Sequence, residues 1–494
     1  MVLYHKIFMR IRFYFFFFRY TLGQDHKQTE AVYTGSGVKI IILGAGQVGS
    51  SLAKSLQKEH DVSIIDENAV KLRRIQDHFD VRTVCGSASH PNALEDAGAG
   101  DADMVIAVTN NDEVNIVACQ ISYSLFKIPM KIARLRNKNY GKYPQIFNND
   151  NIPIDSIINP SELVTQRLLR LVEHPGCFQV VDFANGRIQL AGSSVAENSP
   201  LNGMSIKEFR QELPEIDARI VGLYRRKHNI AISSDTVLKA GDDVFFIAER
   251  INIPAILSEF QPHQSRFRKI FIAGGGNIGV GLAKRLEDNY LVKVVESNYD
   301  RCHLAAEFLN HSTVLSGDAA DAELLNAESI DDTDLFCAVT NDDEANIMSA
   351  MLAKKMGAKS TIALVNSLSY AQLIDDTHSI DRAISPQRIT IGVIQTYLRK
   401  GDMTNIYSLY AGQAEAMEIV VHGSRDSSAI VGKCIRQLNL PAAIMIGAII
   451  RDNQIMIAHD DYTIEPGDSV IIIVSDIEYV STVEKLFQVL PAFL

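Results

Sequence analysis

The sequence predicts an α/β protein built of two Rossmann-like, doubly wound parallel-sheet domains, each followed by a small α+β domain. Three observations carry that expectation. An apolar strand runs into a glycine loop and a helix at Gly44–Gly49. The same unit recurs at Gly274–Gly279, and an internal repeat orders the remaining segments around the two loops.

The repeat fixes the layout. Lys39–Leu56 (KIIILGAGQVGSSLAKSL) matches Lys269–Leu286 (KIFIAGGGNIGVGLAKRL). Farther on, DVSIIDEN from Asp61 matches LVKVVESN from Leu291, and Gly86-Ser87-Ala88 matches Gly317-Asp318-Ala319. TNNDEVNIV from Thr109 matches TNDDEANIM from Thr340. Self-similarity in this order marks a duplicated unit. A second repeat follows each first one: VGLYR, NIAI and TVLKAGDDV in residues 221–244 return in residues 446–470, the last as TIEPGDSV. Short runs of β-branched residues broken by Gly-Asp and Pro-Gly read as small β-rich domains. The expected division is 38–160, 174–260, 267–387 and 404–494. Helix-like stretches at Glu162–Glu173 and Arg388–Lys400 lie in the linkers. Each reads equally as a helix packed on its own domain or as a crossover that pairs domains or subunits.

Length and composition agree with a multidomain globular protein. At about 150 residues per domain, 494 residues suggest about three or four. A net charge of −11 argues against nucleic acid as the main partner, since phosphate backbones need a clustered basic surface. The six cysteines are scattered without a Cys-x-x-Cys spacing, and read as small core residues rather than a disulfide framework or zinc site. The histidines form no metal-ligand pattern. Residues 1–37 are unlike the rest, with an aromatic run, Ile7–Tyr20, interrupted by Arg10, Arg12 and Arg19. That run is shorter than the ~20 apolar residues of a membrane helix. A translation start assigned too early is the leading reading, with Val38 as the true beginning; a disordered tail and a membrane-surface anchor are the alternatives.

The glycine loops point to an adenine dinucleotide or nucleotide. In Gly44-Ala45-Gly46-Gln47-Val48-Gly49 the first glycine permits the tight turn, and the second lets a pyrophosphate approach the backbone. The third brings helix and strand close together. Gly274, Gly276, Asn277, Ile278 and Gly279 repeat the pattern. The helix N-terminus offers unpaired N–H groups and about half a positive charge to phosphates. An acid closes the next strand in each copy, Asp66 and Glu296, at the spacing expected for a carboxylate that bonds ribose hydroxyls and repels a 2′-phosphate. NAD(H) or another nucleotide with an unphosphorylated ribose is therefore favoured over NADP(H). Thr109-Asn110 and Thr340-Asn341 end later apolar strands, where a doubly wound sheet places its ligand crevice. Asp112-Glu113 and Asp343-Glu344 then suit either a helix N-terminus or a ligand. Asn115 and Asn346 match between copies without an evident chemistry.

Nothing in the sequence supplies a dehydrogenase's substrate domain or a catalytic acid or base. An NAD-dependent oxidoreductase is the rival reading, and a soluble redox or energy sensor a third.

Taken together, the start KIIILGAGQVG, the Gly86-Ser87-Ala88 and Gly317-Asp318-Ala319 loops, and the TNNDEVN and TNDDEAN segments resemble the regulator-of-potassium-conductance (RCK) family. In that family an RCK-N (TrkA-N) domain precedes an RCK-C (TrkA-C) domain; the resemblance spans residues 38–494. It implies a non-enzymatic, cytoplasmic regulator on the inner face of the plasma membrane. It further implies a homo-oligomer, expected as a tetrameric ring, beneath a membrane potassium-translocating subunit of the TrkH or TrkG type. The implied ligands are NAD(H), with ATP or ADP as alternatives. By the family's pattern Gly44, Gly46, Gly49, Asp66, Thr109 and Asn110 contact ligand in the first half, joined by Ser87 and Ala88. Arg134, in KIARLRN, is placed to reach phosphate. Asp318, Ala319, Thr340 and Asn341 are the second-half counterparts, but Leu364 stands at the arginine's position, so the two sites are expected to differ.

Overall fold

The computed structural model describes residues 37–489 apart from 213, 378 and 399–402. The reading of the N-terminal extension therefore falls outside the described residues. The chain divides into two compact units. The first holds the described residues up to Ser161 together with Ile389–Ile394; the second holds Glu162–Arg388 and the chain from Gln395 on.

The first unit is a Rossmann-like domain. Its elements run β1 (Lys39–Leu43), α1 (Gln47–Leu56), β2 (Asp61–Asp66), α2 (Ala69–Gln76), β3 (Arg82–Cys85), α3 (Pro91–Asp96), β4 (Met104–Ala107), α4 (Asp112–Ser124), β5 (Met130–Arg134) and β6 (Ser156–Ile158). The sheet order is β3-β2-β1-β4-β5-β6, parallel throughout. The strands are almost continuous runs of buried residues, apolar in β1 and β4, as expected where helices cover both faces of a sheet. The order reverses between β1 and β4, so the crevice lies beyond their C-terminal ends.

The second unit begins with α5 (Pro160–Glu173), the first linker helix, of which residues 162–173 belong here. A five-stranded antiparallel sheet follows from β7 (Cys177–Phe183), β8 (Ile188–Ser194), β9 (Ala218–Arg225), β10 (His228–Asn229) and β11 (Asp243–Glu249), in the order β10-β9-β11-β8-β7. It is flanked by α6 (Ile206–Glu212) and α7 (Ile253–Phe260). The second Rossmann-like domain comprises β12 (Lys269–Ala273), α8 (Asn277–Leu286), β13 (Leu291–Glu296), α9 (Tyr299–Phe308), β14 (Thr313–Ser316), α10 (Ala322–Ala327), β15 (Leu335–Ala338), α11 (Asp343–Lys355), β16 (Ser360–Leu364), α12 (Leu368–Thr377) and β17 (Arg382–Ile384). Its sheet, β14-β13-β12-β15-β16-β17, repeats the first. After α13 (Pro386–Thr396) come β18 (Met403–Leu409), β19 (Ala414–Val420), β20 (Ile444–Arg451), β21 (Gln454–Ile457), β22 (Ser469–Val474) and α14 (Val480–Phe487). These five strands pair as β18-β19-β22-β20-β21, the topology of the first small sheet.

Both linker helices begin earlier than the apolar spacing suggests, at Pro160 and Pro386 rather than Glu162 and Arg388. A proline fits the first helical turn, where its missing N–H would have no intrahelical partner. Ser385 Oγ caps the second helix by accepting from Arg388 N at 3.3 Å. Glu162 on α5 pairs with Arg285 on α8 at 2.6 Å, so this linker helix bonds to the second Rossmann domain rather than only to its own.

The two small sheets share one core. Val181, Phe183, Leu190, Tyr224, Phe245 and Ile247 of the first interlock with Leu409, Ala416, Ala448, Ile471 and Ile473 of the second. Tyr224 and Tyr410 stack with ring centroids 4.0 Å apart. Polar groups in the seam are paired: Gln179 Nε2 donates to Ser408 O at 2.8 Å, and Tyr224 Oη donates to Ser475 O at 2.9 Å. The repeated Gly-Asp turns gain a role here. Asp242 and Asp468, each 1% exposed, take bidentate bonds of 2.7–2.8 Å from Arg225 and Arg451. A third bond to the same carboxylates, from Lys239 N and Glu465 N at 2.8 Å, closes the turn.

Cys119, Cys177 and Cys337 are buried, and burial pushes each thiol up to about 12, in line with core residues; Cys85 is exposed and Cys302 and Cys434 are half-buried, so the core reading does not hold for them. No helix among the described residues is long and apolar enough to cross a membrane. No cluster of His, Cys, Asp or Glu able to hold a metal occurs among them.

Candidate nucleotide-binding sites

The first loop leaves β1 through Gly44, whose φ of +105° is one that side chains rarely adopt. Its N–H donates to Ile65 O at 2.7 Å, holding the turn against β2. A Cβ on Gly49 would sit 1.8 Å from Gly44 O, so this glycine is needed for helix α1 to approach the strand. Gly46 differs: it caps α1, and a Cβ there would meet nothing within 4 Å. The space in front of it is open, and the cap supplies no side-chain acceptor to the helix N–H groups. Those groups are aimed where a phosphate would lie.

Asp66 sits at the end of β2, half-buried. Its Oδ2 accepts from Ala45 N at 2.7 Å and its Oδ1 from Asn68 N at 2.8 Å. The carboxylate is thus fixed beside the glycine loop, with lone pairs left for ribose hydroxyls. Asn68 in turn caps α2. Gly86 N bonds Asp66 O at 3.1 Å, bringing Ser87 and the buried Ala88 to the same strand ends. Thr109 lies across the crevice, in close contact with Gly44: a Cβ on that glycine would be 3.0 Å from Thr109 Cα.

The second loop repeats this frame. Gly274 has φ +113°, Gly276 caps α8 in open space, and a Cβ on Gly279 would be 1.9 Å from Gly274 O. Glu296 accepts from Gly275 N at 2.8 Å and Asn298 N at 2.9 Å. The acid is one methylene longer than Asp66, and it is buried. Its side chain runs close against the loop where Ala45 carries its methyl in the first half: a Cβ on Gly275 would fall 2.9 Å from Glu296 Cβ and 3.2 Å from Oε2. Asp318, on the following loop, accepts from Ala320 N at 2.9 Å.

The acids after each threonine resolve as structural. Asp112 Oδ2 accepts from Arg136 N and Asn137 N, both at 2.9 Å. Asp343 likewise takes Asn366 N and Ser367 N at 2.8–2.9 Å. They tie the first turns of α4 and α11 to the chain leaving β5 and β16. Arg134 ends β5, 9% exposed, and donates from Nη2 to Thr109 O. Its Nε is buried without a partner. Burial, aided by Arg136, pulls the guanidinium down to about 10. Leu364 holds the matching place at the end of β16. An open cradle before Gly46 and a buried cation with an unused donor fit an anionic nucleotide.

A doubled Rossmann frame of this kind, each copy followed by a small antiparallel domain, defines a tandem TrkA-N/TrkA-C protein. The TrkA-N family model matches residues 40–160 and 270–386, and the TrkA-C model matches 190–261 and 425–488. Trk system potassium uptake protein TrkA of Halomonas elongata is 46% identical over 453 residues, 92% of this chain and 99% of that one. The Vibrio alginolyticus protein of the same name is 46% identical over 459 residues, again 92% of this chain and 100% of its own. The chain belongs to the TrkA family of Trk system potassium uptake proteins. Among solved structures the GsuK RCK domain shares the fold, with a TM-score of 0.58 at 18% identity over 92% of this chain and 96% of that one. A GsuK channel bound to NAD gives 0.59 at 18% identity over 94% and 81%.

Proposed function

We propose that this chain is a peripheral, non-enzymatic regulatory subunit that gates a Trk-type membrane potassium channel or transporter in response to NAD(H) and adenine nucleotides. The observation that carries the reading is the doubled phosphate cradle, Gly46 and Gly276 each open at a helix N-terminus beside a fixed carboxylate. Membership of the TrkA family supplies the transport system. A GsuK channel of the same fold has been solved with NAD bound, a ligand that the two cradles also suit.

In this reading Gly44, Ala45, Gly46, Gln47, Val48 and Gly49 hold phosphate and Asp66 the ribose. Ser87, Ala88, Thr109, Asn110 and Arg134 complete the first crevice. Gly274, Gly276, Asn277, Ile278, Gly279, Glu296, Asp318, Ala319, Thr340 and Asn341 form the second. The functional division is 38–160, 174–260, 267–387 and 404–494. The protein works on the cytoplasmic face of the membrane as a homo-oligomer, a tetrameric ring, on a translocating subunit of the TrkH or TrkG type. Nucleotides that bind one ring conformation more tightly shift its population, by no more than their differential affinity, ~1–3 kcal/mol per coupled site.

The test is potassium flux through the reconstituted complex with ATP, ADP, NAD⁺ and NADH. The reading expects at least one nucleotide to change the flux and Asp66→Ala to blunt that change. Flux indifferent to all four would refute it.

A further inference from the structure

Asn115 and Asn346 recur between the halves, and their geometry is nearly identical. Asn115 is fully buried. Its Oδ1 accepts from Thr109 N at 3.0 Å and Thr109 Oγ1 at 2.7 Å; its Nδ2 donates to Thr109 O at 3.3 Å and Arg134 O at 2.8 Å. Asn346 makes the same four bonds to Thr340 and to Leu364 O, at 2.7–3.0 Å. One amide therefore fixes the ends of two neighbouring strands, β4 with β5 and β15 with β16. An asparagine suits this because its side chain offers acceptor and donor together.

The halves differ in what the amide holds. In the first, the clamped strand end carries Arg134, whose guanidinium folds back onto Thr109 O and closes a ring of three residues. No carboxylate lies within ion-pair distance of Arg134 among the described residues, and its Nε has no acceptor. Asp112 eases the cation only from beyond that distance; a buried cation without a close partner is costly, and an entering anion would relieve that cost. In the second half the same clamp carries Leu364, 2% exposed, which asks for no charge.

Building on the nucleotide reading above, we propose that Asn115 is a positioning residue: it holds Thr109 and Arg134 so that the first crevice selects ligands by phosphate charge. Asn346 holds an uncharged floor, so the second crevice selects less by phosphate and more by the nucleoside. The ligand class for the first site is a nucleotide with at least one phosphate within reach of β5.

The test uses hydrogen exchange of the full-length protein, titrated with ADP and separately with adenosine. Protection is read in the Gly44–Ser50 and Gly274–Val280 segments, so each site reports by itself. In wild type, the ratio of adenosine to ADP concentrations at half-protection is expected to be about ten-fold larger at the first loop than at the second, a factor worth 1.4 kcal/mol. Arg134→Gln brings the first ratio down to the second; a ratio that stays high overturns the assignment. Asn115→Asp keeps the two acceptor bonds and loses the two donor bonds that hold Thr109 O and Arg134 O, so it removes the same preference. The double variant loses no more than either single one. Additive losses, or an unchanged ratio in Asn115→Asp with β1 and β2 still protected, overturn the positioning role. If neither ligand protects either loop of wild type, the nucleotide reading itself falls, an outcome separate from the other two.

Discussion

Gly275→Ala is a sharp probe of how the two sites diverged. Gly275 has no left-handed φ, so the substitution is a matter of space alone. The new Cβ would lie 2.9 Å from Glu296 Cβ and 3.2 Å from both Cγ and Oε2. Overpacking of this kind costs ~1–3 kcal/mol. The stiffer unfolded chain returns ~0.4–1 kcal/mol. If Glu296 swings away instead, it gives up its bond to Gly275 N, a charged-acceptor bond worth ~1.5–3 kcal/mol. Either route leaves a net loss of about 1–2 kcal/mol. The first half already shows the cure, since Ala45 N bonds the shorter Asp66 at 2.7 Å without conflict. The double variant Gly275→Ala/Glu296→Asp should therefore recover most of the loss, with a coupling of more than about 1 kcal/mol. Amide exchange in β12 and β13 is the assay, because a chain of several domains has no single unfolding midpoint. A Gly275→Ala protein as stable as wild type, or a double variant that is merely additive, would refute the packing argument.

Three further outcomes are expected. Asp242→Ala and Asp468→Ala each remove a buried carboxylate that ties its turn to Arg225 or Arg451, and should cost ~1–3 kcal/mol in the sheet concerned, measured by amide exchange in β11 and β22. Burial raises the Glu287 carboxyl, but bonds from Lys284, His311 N, Ser312 and Asn310 N outweigh it and hold the group down at about 2, against an ordinary 4.5. Its folded-state pKa is depressed, so its stabilisation is complete above about pH 4.5 and is lost as pH falls toward 2; Glu287→Gln should flatten that part of an acid titration followed by circular dichroism. Gly46→Val should cost the free protein no more than ~1 kcal/mol, the loss of a glycine N-cap, because its Cβ meets nothing, yet abolish nucleotide protection of the Gly44–Ser50 segment.

Much of the fold was legible because it depends on local pattern. The glycine loops, the acids at β2 and β13, and the buried strands all follow from residues a few positions apart. The Gly-Asp turns were visible as punctuation, but their partners Arg225 and Arg451 were not, since a turn signal does not say which distant cation its acid will meet. Asn115 showed the same limit. Its recurrence was plain, while its chemistry needed β4 and β5 side by side. Arg134 was visible as a basic residue in a strand, and through the family's pattern as a phosphate contact; that its guanidinium returns to Thr109 O is a tertiary fact. The pairing of the two small sheets left no periodic mark, because the face each buries reads in sequence like any strand packed on its own helices.

That shared core has a consequence for the history of the chain. Phe178, Tyr224 and Phe245 of the first small sheet are covered by Tyr410 and its neighbours from the second. A half-length polypeptide ending at Phe260 would leave this aromatic face bare, and would need another copy of itself to hide it. The full-length chain is in effect such a pair made covalent. Once fused, the partners no longer had to be identical, and one half could keep an arginine and an aspartate where the other took a leucine and a glutamate.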